Sequence, residues 1–143
     1  MKFLLSVISG CLILLLLSGC AVTVKPHYEI GDSSLYFVEA KFVEHSGDRE
    51  CVGLFFDYTN NSEDSSVPCS KFVMAVHQNE KLLDTLWVAD EVNGAICASS
   101  DAPIGTTRVA YLFFLNDTSP LSVEVSDGQK FTIEYEQIGE IVK

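Results

Sequence analysis

The sequence predicts an all-β protein, an antiparallel β-sandwich of about seven strands behind a cleaved N-terminal signal helix. Three observations indicate this class. Hydrophobicity alternates with a period of two after residue 33, turn-forming residues recur every 8–12 residues or so, and nothing beyond the N-terminal segment has a helical period. The chain has 143 residues, which is enough for one domain and too few for two of ordinary size.

The first three predicted strands follow from alternation and from the polar turns between them. Residues 35–43 direct their even-numbered side chains to the core, and a Ser46-Gly47-Asp48 turn follows. Residues 51–59 place the even-numbered set on one face, before the polar loop 60–66. The third strand covers residues 71–77. The two core-facing sets are Tyr36, Val38, Ala40 and Phe42, and Val52, Leu54, Phe56 and Tyr58.

Four further strands complete the prediction. Residues 78–81 form a turn into a strand at residues 82–88, and an irregular segment covers residues 89–106. Residues 108–115 are apolar on both faces, as expected of a central strand. Residues 121–125 and 130–136 alternate and are joined by Asp127-Gly128, a strong hairpin signal.

The N-terminal segment is a short apolar run. Residues 3–17 follow Lys2 and are broken only by Ser6, Ser9 and Gly10. A helix of this length reaches about 22 Å, whereas a bilayer core is about 30 Å thick. The run therefore suits the apolar region of a secretion signal better than a permanent span. An uncleaved span and an ordinary signal peptide with an incidental cysteine remain alternatives.

The end of this run resembles the lipobox of bacterial lipoproteins. Leu17, Ser18, Gly19 and Cys20 match its form, Leu-(Ser/Ala)-(Gly/Ala)-Cys, at all four positions. The resemblance implies cleavage between Gly19 and Cys20, and lipidation of Cys20. It would make the protein extracytoplasmic and lipid-anchored to a bacterial membrane, the cell membrane in a Gram-positive host. The expected organisation is a signal peptide at 1–19, a lipidated tether at 20–33 and the sandwich at 34–143.

The composition is acidic. Twenty acidic and nine basic residues give a net charge of −11, and removal of Lys2 with the signal would make it −12. No run of five or six like charges occurs. This dispersed negative charge argues against nucleic acid as a partner, and its simplest interpretation is a solvated exterior.

Three further segments resemble a family of uncharacterised secreted lipoprotein domains of Gram-positive bacteria. They are residues 56–62 (FDYTNNS), 72–83 (FVMAVHQNEKLL) and 103–111 (PIGTTRVAY). The resemblance covers about residues 33–137 and implies an immunoglobulin-like sandwich, related to that of a mycobacterial immunoprotective extracellular protein. Two turns depart from the family pattern, since Ile104 separates Pro103 from Gly105 and Glu80 replaces the usual turn glycine. The family has no established activity.

The cysteines allow one bridge in the mature chain. Cys11 would leave with the signal, so Cys51, Cys69 and Cys97 remain. In the immunoglobulin-like order that the resemblance implies, Cys69 and Cys97 lie at one end of the sandwich and Cys51 at the other. If a disulfide forms, we expect Cys69–Cys97; three unoxidised thiols are the alternative.

The strand at residues 108–115 suggests a surface hypothesis. If its odd-numbered residues face the core, Ala110, Leu112 and Phe114 form an apolar stripe on the other face. A neighbouring segment, for example the tether, would normally cover such a stripe. Left uncovered, it would bind a partner.

No catalytic or metal-binding residue is predicted, and no cofactor. His27, His45 and His77 lack the spacing of a zinc site. Glu134 and Glu136 share one side of a strand, but their alternation with apolar residues indicates an outer face rather than a paired-acid site. We therefore expect a non-enzymatic, membrane-anchored domain that binds a protein or a cell-envelope component. A domain that senses a small ligand or envelope stress is the alternative.

Overall fold

The computed structural model describes residues 25–126 and 129–143. The predicted signal peptide, the cleavage site between Gly19 and Cys20, and Cys20 itself lie outside these residues. The described part contains eleven strands: β1 (His27–Ile30), β2 (Ser33–Val43), β3 (Cys51–Asn60), β4 (Met74–Gln78), β5 (Lys81–Leu82), β6 (Thr85–Leu86), β7 (Ile96–Cys97), β8 (Gly105–Phe114), β9 (Leu121–Val125), β10 (Gln129–Ile133) and β11 (Gly139–Val142).

These strands form two sheets, and the predicted antiparallel β-sandwich is confirmed. The larger sheet has the order β1-β2-β3-β8-β6, with β11 also beside β2 and β7 also beside β8. The smaller sheet has the order β10-β9-β4-β5. Neighbouring strands are antiparallel except for β11 on β2 and β7 on β8. The number of strands exceeds the predicted seven because several short strands lie at the sheet edges.

The main core lies between the sheets. The even-numbered residues of β3, from Val52 to Tyr58, belong to it, as predicted. So do the odd-numbered residues of β8, from Val109 to Phe113, and Leu115 just after the strand. They pack against β9 of the other sheet, where Leu121, Val123 and Val125 are buried. Alternation identified these faces correctly because both long strands are regular.

The prediction for β2 is wrong in its first half. Leu35 and Phe37 pack in the core, whereas Tyr36 is exposed. The pairing with β3 shifts between Phe37 and Glu39, so Val38 is an extra residue, a β-bulge. A one-residue slip exchanges the two faces of a strand, and for this reason the core-facing residues after the bulge are even-numbered, starting with Ala40.

The predicted tether, residues 20–33, is too long. Residues 27–30 form β1, which pairs with β2, and the Phe37 amide donates to the Pro26 carbonyl (2.9 Å). Hydrogen bonding to the outer edge of β2 orders this polar segment despite its small apolar content. At the other end of the chain, the predicted strand over residues 130–136 stops at Ile133, and a 3₁₀-helix (Tyr135–Gln137) leads into β11.

The segment between residues 66 and 97 is less regular than predicted. A single helical turn, α1 (Pro68–Lys71), replaces the start of the third predicted strand. The turn after Gln78 is confirmed as a two-residue hairpin, with Asn79 and Glu80 both at positive φ. The strand predicted at residues 82–88 is instead two short strands in different sheets, β5 and β6.

A second, smaller core lies on the outer face of the larger sheet. Cys51, Phe55, Ala110 and Leu112 project from that face and are buried beneath Val92 and Ala95, with Leu86 and Val88 packed around them. Gly53 also lies on this face, where a Cβ atom would come within 2.9 Å of the Phe55 ring and of Val43. The larger sheet is therefore covered on both sides over part of its area.

Candidate functional site

A largely apolar groove lies along one side of the sandwich. It lies between the middle of β2 and strand β10, and its volume is about 430 Å³. We call it the edge groove. It is lined by Lys25, Pro26, Phe37, Val38, Glu39, Ala40, Phe131, Thr132, Ile133 and Gln137.

The edge groove is bounded by the edges of the two sheets rather than by their faces. Four consecutive residues of β2 and three consecutive residues of β10 line it. Successive side chains of a strand point to opposite faces, so consecutive lining residues mean that the strand edge borders the groove. The floor is the side of the main core, where the rings of Phe37 and Phe131 pack with their centroids 5.1 Å apart.

The part of β2 that lines the edge groove lies between the segments of β2 that pair with β1 and with β11. The β1–β2 ladder ends at Tyr36, followed only by the bond from the Phe37 amide to Pro26, and β11 starts its pairing with β2 at Lys41. The bulge at Val38 lies in the gap between them. Because a bulge bends the strand and leaves one residue out of the ladder, the edge of β2 stays open here.

The charged groups of the edge groove are engaged by close neighbours. The Lys25 ammonium donates to the Val38 carbonyl (2.7 Å), and the Glu39 carboxylate lies 3.3 Å from the Lys41 ammonium. The remaining lining is apolar or uncharged. The groove thus offers apolar surface and strand edges, not a pair of free titratable groups.

A second depression continues the open side of the sandwich. It has a volume of about 270 Å³ and lies between all four residues of β1 and the other end of β10, at Gln129. One edge strand, β10, therefore borders both depressions.

Among the residues that the structure describes, no group of histidine, cysteine, aspartate and glutamate side chains is arranged to hold a metal ion.

The predicted interaction stripe is mostly buried. Ala110 and Leu112 are each 0% exposed, and only Phe114 is half-buried. The cover comes from residues 86–95 rather than from the tether. The Arg49 guanidinium lies 4.6 Å from the centre of the Phe114 ring. An uncovered binding stripe at these residues is therefore a wrong prediction, because the irregular segment before β7 folds over it.

The three cysteines are free thiols in the structure. Cys51 begins β3 opposite Phe114 at one end of β8, whereas Cys97 pairs with Ala110 in the middle of that strand. The Cys69 amide donates to the Ala98 carbonyl (2.9 Å), so the backbones of the predicted pair are close. Cys97 shares the outer face of the sheet with Ala110, however, while Cys69 packs against the main core. The bridge between Cys69 and Cys97 stays a prediction.

The protonation of the thiols follows their surroundings. Burial raises the pKa of Cys51 to about 11. Burial also raises the pKa of Cys69, and the neighbouring Cys97 raises it further. Thiols held in the neutral form are poor nucleophiles, and the environments of Cys51 and Cys69 favour that form.

Sequence reasoning missed a hydrogen-bonded cluster beneath the loop at residues 60–66. The Lys71 ammonium donates to the Ser33 hydroxyl (3.0 Å), which lies 3.2 Å from the Tyr58 hydroxyl, and Tyr58 also bonds Ser66. A serine beside a lysine is a nucleophile-and-base arrangement. Here Ser33 is only 2% exposed and Tyr58 is fully buried. The cluster therefore joins the loop and α1 to the larger sheet instead of presenting a nucleophile to solvent.

Sequence reasoning also missed the edge groove, although it predicted strands for most of its residues. Lys25 and Pro26 were assigned to the tether, and the bulge at Val38 has no sequence signal of its own.

Among the described residues, none of the helices is long and apolar enough to span a membrane. The lipidation site predicted at Cys20 lies outside the described part of the chain.

Comparison with known proteins gives a family and a fold relative. No curated protein matches the chain. A solved structure from Staphylococcus aureus subsp. aureus NCTC 8325, described as a "putative lipoprotein", is similar to it with a TM-score of 0.60 and 10% sequence identity, over 82% of this chain and 97% of that one. The family model "Domain of unknown function (DUF5067)" matches residues 23–127, most of the chain and most of both sheets. This protein therefore belongs to the DUF5067 family.

Proposed function

We propose that this protein is an extracytoplasmic lipoprotein that is anchored through Cys20 and binds a protein or cell-envelope component without catalysing a reaction. The motif Leu17-Ser18-Gly19-Cys20 carries the proposal. The fold relative from Staphylococcus, described as a "putative lipoprotein", supports it. A diacylated cysteine gives stable anchoring, since one acyl chain alone binds membranes only marginally.

The binding part of the proposal is supported by the surface of the domain. The edge groove is partly open to solvent, and its apolar floor is continuous with the main core. Its charged groups, Lys25 and Glu39, are engaged by neighbours. An open groove of this kind suits a chain laid along it better than a small ligand enclosed within it.

Replacement of the proposed lipidation site tests the anchor. We expect Cys20→Ala to leave the precursor unprocessed or to remove the protein from its lipid-dependent membrane fraction. The matched control is Cys11→Ala, which removes a cysteine from the apolar run and should change neither processing nor fractionation. Mass spectrometry of the mature N-terminal peptide should show a lipid-modified Cys20.

Two results would overturn the anchor. One is a Cys20→Ala variant that is processed and fractionates like the wild type. The other is an N-terminal peptide that starts elsewhere or carries no lipid.

For the binding function, a photo-crosslinking amino acid at Val38 on intact cells should yield a discrete product, whereas one at the exposed Leu82 should not. Equal labelling from both positions would contradict a partner at the groove.

A further inference from the structure

Strand β10 is a free edge among the described residues. It pairs with β9 alone, and its five residues form the end of the smaller sheet. On the side of the sandwich away from β10, the strands at the sheet edges are only two residues long; these are β5, β6 and β7. Short strands blunt an edge because they leave few backbone groups for pairing. Strand β10 is not blunted in this way, and about 17 Å of its backbone borders the two depressions.

The position of β10 determines what a chain paired with it would contact. An added strand would extend the smaller sheet by one, and alternate side chains would point inward over the edge groove. There they would contact the apolar surface of Phe37, Val38 and Ala40. Its other side chains would point outward, in line with the exposed Thr132 and with Lys130, whose ammonium is offset by the Glu124 carboxylate 3.8 Å away.

The charge of the domain favours basic residues at the outward positions. The net charge is −11 for the whole sequence. Glu134 and Glu136 are exposed immediately after β10, beside Gln137 of the groove. A negative field of this kind attracts cationic partners and speeds their association.

We propose that β10 and the edge groove bind an extended peptide segment of a partner protein, in which apolar and basic residues alternate, by β-strand addition. This inference rests on the proposed binding function and names its site and the chemistry of its partner. Main-chain hydrogen bonds to β10 hold the segment, and the apolar groove selects its inward side chains.

The experiment measures binding of a labelled peptide of alternating valine and lysine, at concentrations up to 1 mM. Two forms of the protein are compared: the chain carrying Cys20→Ser, and the lipidated protein in phosphatidylglycerol nanodiscs. Hydrogen exchange of residues 129–133 should slow on binding, by about tenfold or more at saturation. A peptide with the same side chains but N-methylated at every amide should fail to bind, because neither of its edges can donate a backbone hydrogen bond to β10. A valine–glutamate peptide should bind at least tenfold more weakly, and salt should weaken the lysine peptide.

Two variants locate the site. Val38→Asp places a carboxylate in the edge groove and should weaken binding of the lysine peptide about tenfold or more. Leu82→Asp adds the same charge at a position that is 62% exposed and lines none of the depressions described above, so it should change affinity less than twofold. If Val38→Asp proves unfolded, the N-methylated peptide still tests the proposal, because it leaves the protein unchanged.

The proposal is wrong if the N-methylated peptide binds equally well, if both aspartate variants act alike, or if exchange at β10 is unchanged. It is also wrong if nanodisc lipid protects β10 and Val38 without peptide, which would make the groove a lipid site. None of these results depends on the anchor, since the Cys20→Ser chain is measured as well. Failure at the groove and failure of lipidation are thus separate outcomes.

Discussion

Replacement of Leu112 by alanine tests whether the second core is part of the stable fold. Leu112 is fully buried on the outer face of β8 and pairs with Leu86 of the covering segment. The change removes three carbon atoms from this core. At about 0.8 kcal/mol for each, the transfer contribution is roughly 2.4 kcal/mol, and incomplete closure of the cavity brings the loss of unfolding free energy to about 3–4 kcal/mol.

Urea denaturation of the chain from residue 21 onward measures this loss. With a slope of about 1–3 kcal/mol per molar urea, the transition midpoint should fall by more than about 1 M. Leu82→Ala is the matched control, since that leucine is 62% exposed and its truncation should cost less than about 0.5 kcal/mol. A double variant with Leu86→Ala should show a coupling of about 0.5 kcal/mol or more, because the two leucines are direct cross-strand neighbours.

The reasoning would be refuted if Leu112→Ala and Leu82→Ala had the same small effect. Residues 86–95 would then not be packed on the sheet in solution, and Ala110 and Leu112 would again be available to a partner. A large loss without coupling to Leu86 would mean that Leu112 is buried by other neighbours.

Three further predictions concern single sites. Glu80 has a φ of 65° in the β4–β5 hairpin, so Glu80→Gly should raise the free energy of unfolding by about 0.5–1 kcal/mol in urea, whereas Glu63→Gly in the loop after β3 should not. The buried Gln78 amide accepts from the Asn116 amide and donates to the carbonyls of Asp117 and Ser119, so Gln78→Met should cost about 2 kcal/mol and speed exchange of the Asn116 amide; unchanged exchange would contradict this. The folded-state pKa of Cys51 is raised from 9.0 to about 11, so stability should be independent of this group below pH 9 and fall by about 3 kcal/mol as the pH rises to 11. Cys51→Ala should remove that fall, and a fall that persists would assign it to another group.

Alternation predicted the long central strands well because both of their ends are fixed by regular pairing. The core faces of β3 and β8 agree with the structure. The bulge in β2 could not be predicted in the same way, since residues 35–43 are apolar at both odd and even positions and either register satisfies the pattern. Its position depends on pairing with β3, which is a tertiary contact.

The cover of the second core was also beyond sequence reasoning. Residues 89–97 have no periodicity, and Val92 and Ala95 do not form an amphipathic pattern. They are ordered by the sheet beneath them and by single hydrogen bonds, such as that from the Asn93 amide to the Lys143 carbonyl (2.7 Å). The apolar outer face of β8 was identified correctly, but what covers it depends on the path of an irregular segment.

The edge groove was missed for a different physical reason. Its residues come from two stretches about 90 positions apart, near Val38 and near Phe131, and each stretch was assigned to a strand. A hydrophobic pattern shows which face of a strand is buried, not which edge lacks a partner. Unpaired edges are a property of the sheet order, and here the order leaves β10 at the end of its sheet.

The proposed anchor and the edge groove constrain each other. Four residues lie between Cys20 and Lys25, which lines the groove, so a fully extended chain over these five Cα–Cα steps spans at most about 18 Å. A lipidated Cys20 would therefore keep this side of the sandwich close to the headgroups, while β5, β6 and β7 lie on the opposite side. A partner segment bound at β10 would then lie near the membrane, where a neighbouring membrane protein or the base of a second anchored protein can supply it. Lengthening the stretch before Lys25 with a flexible insertion should leave peptide affinity in solution unchanged and reduce photo-crosslinking from Val38 on cells, because the groove would no longer be held at the height of such a partner.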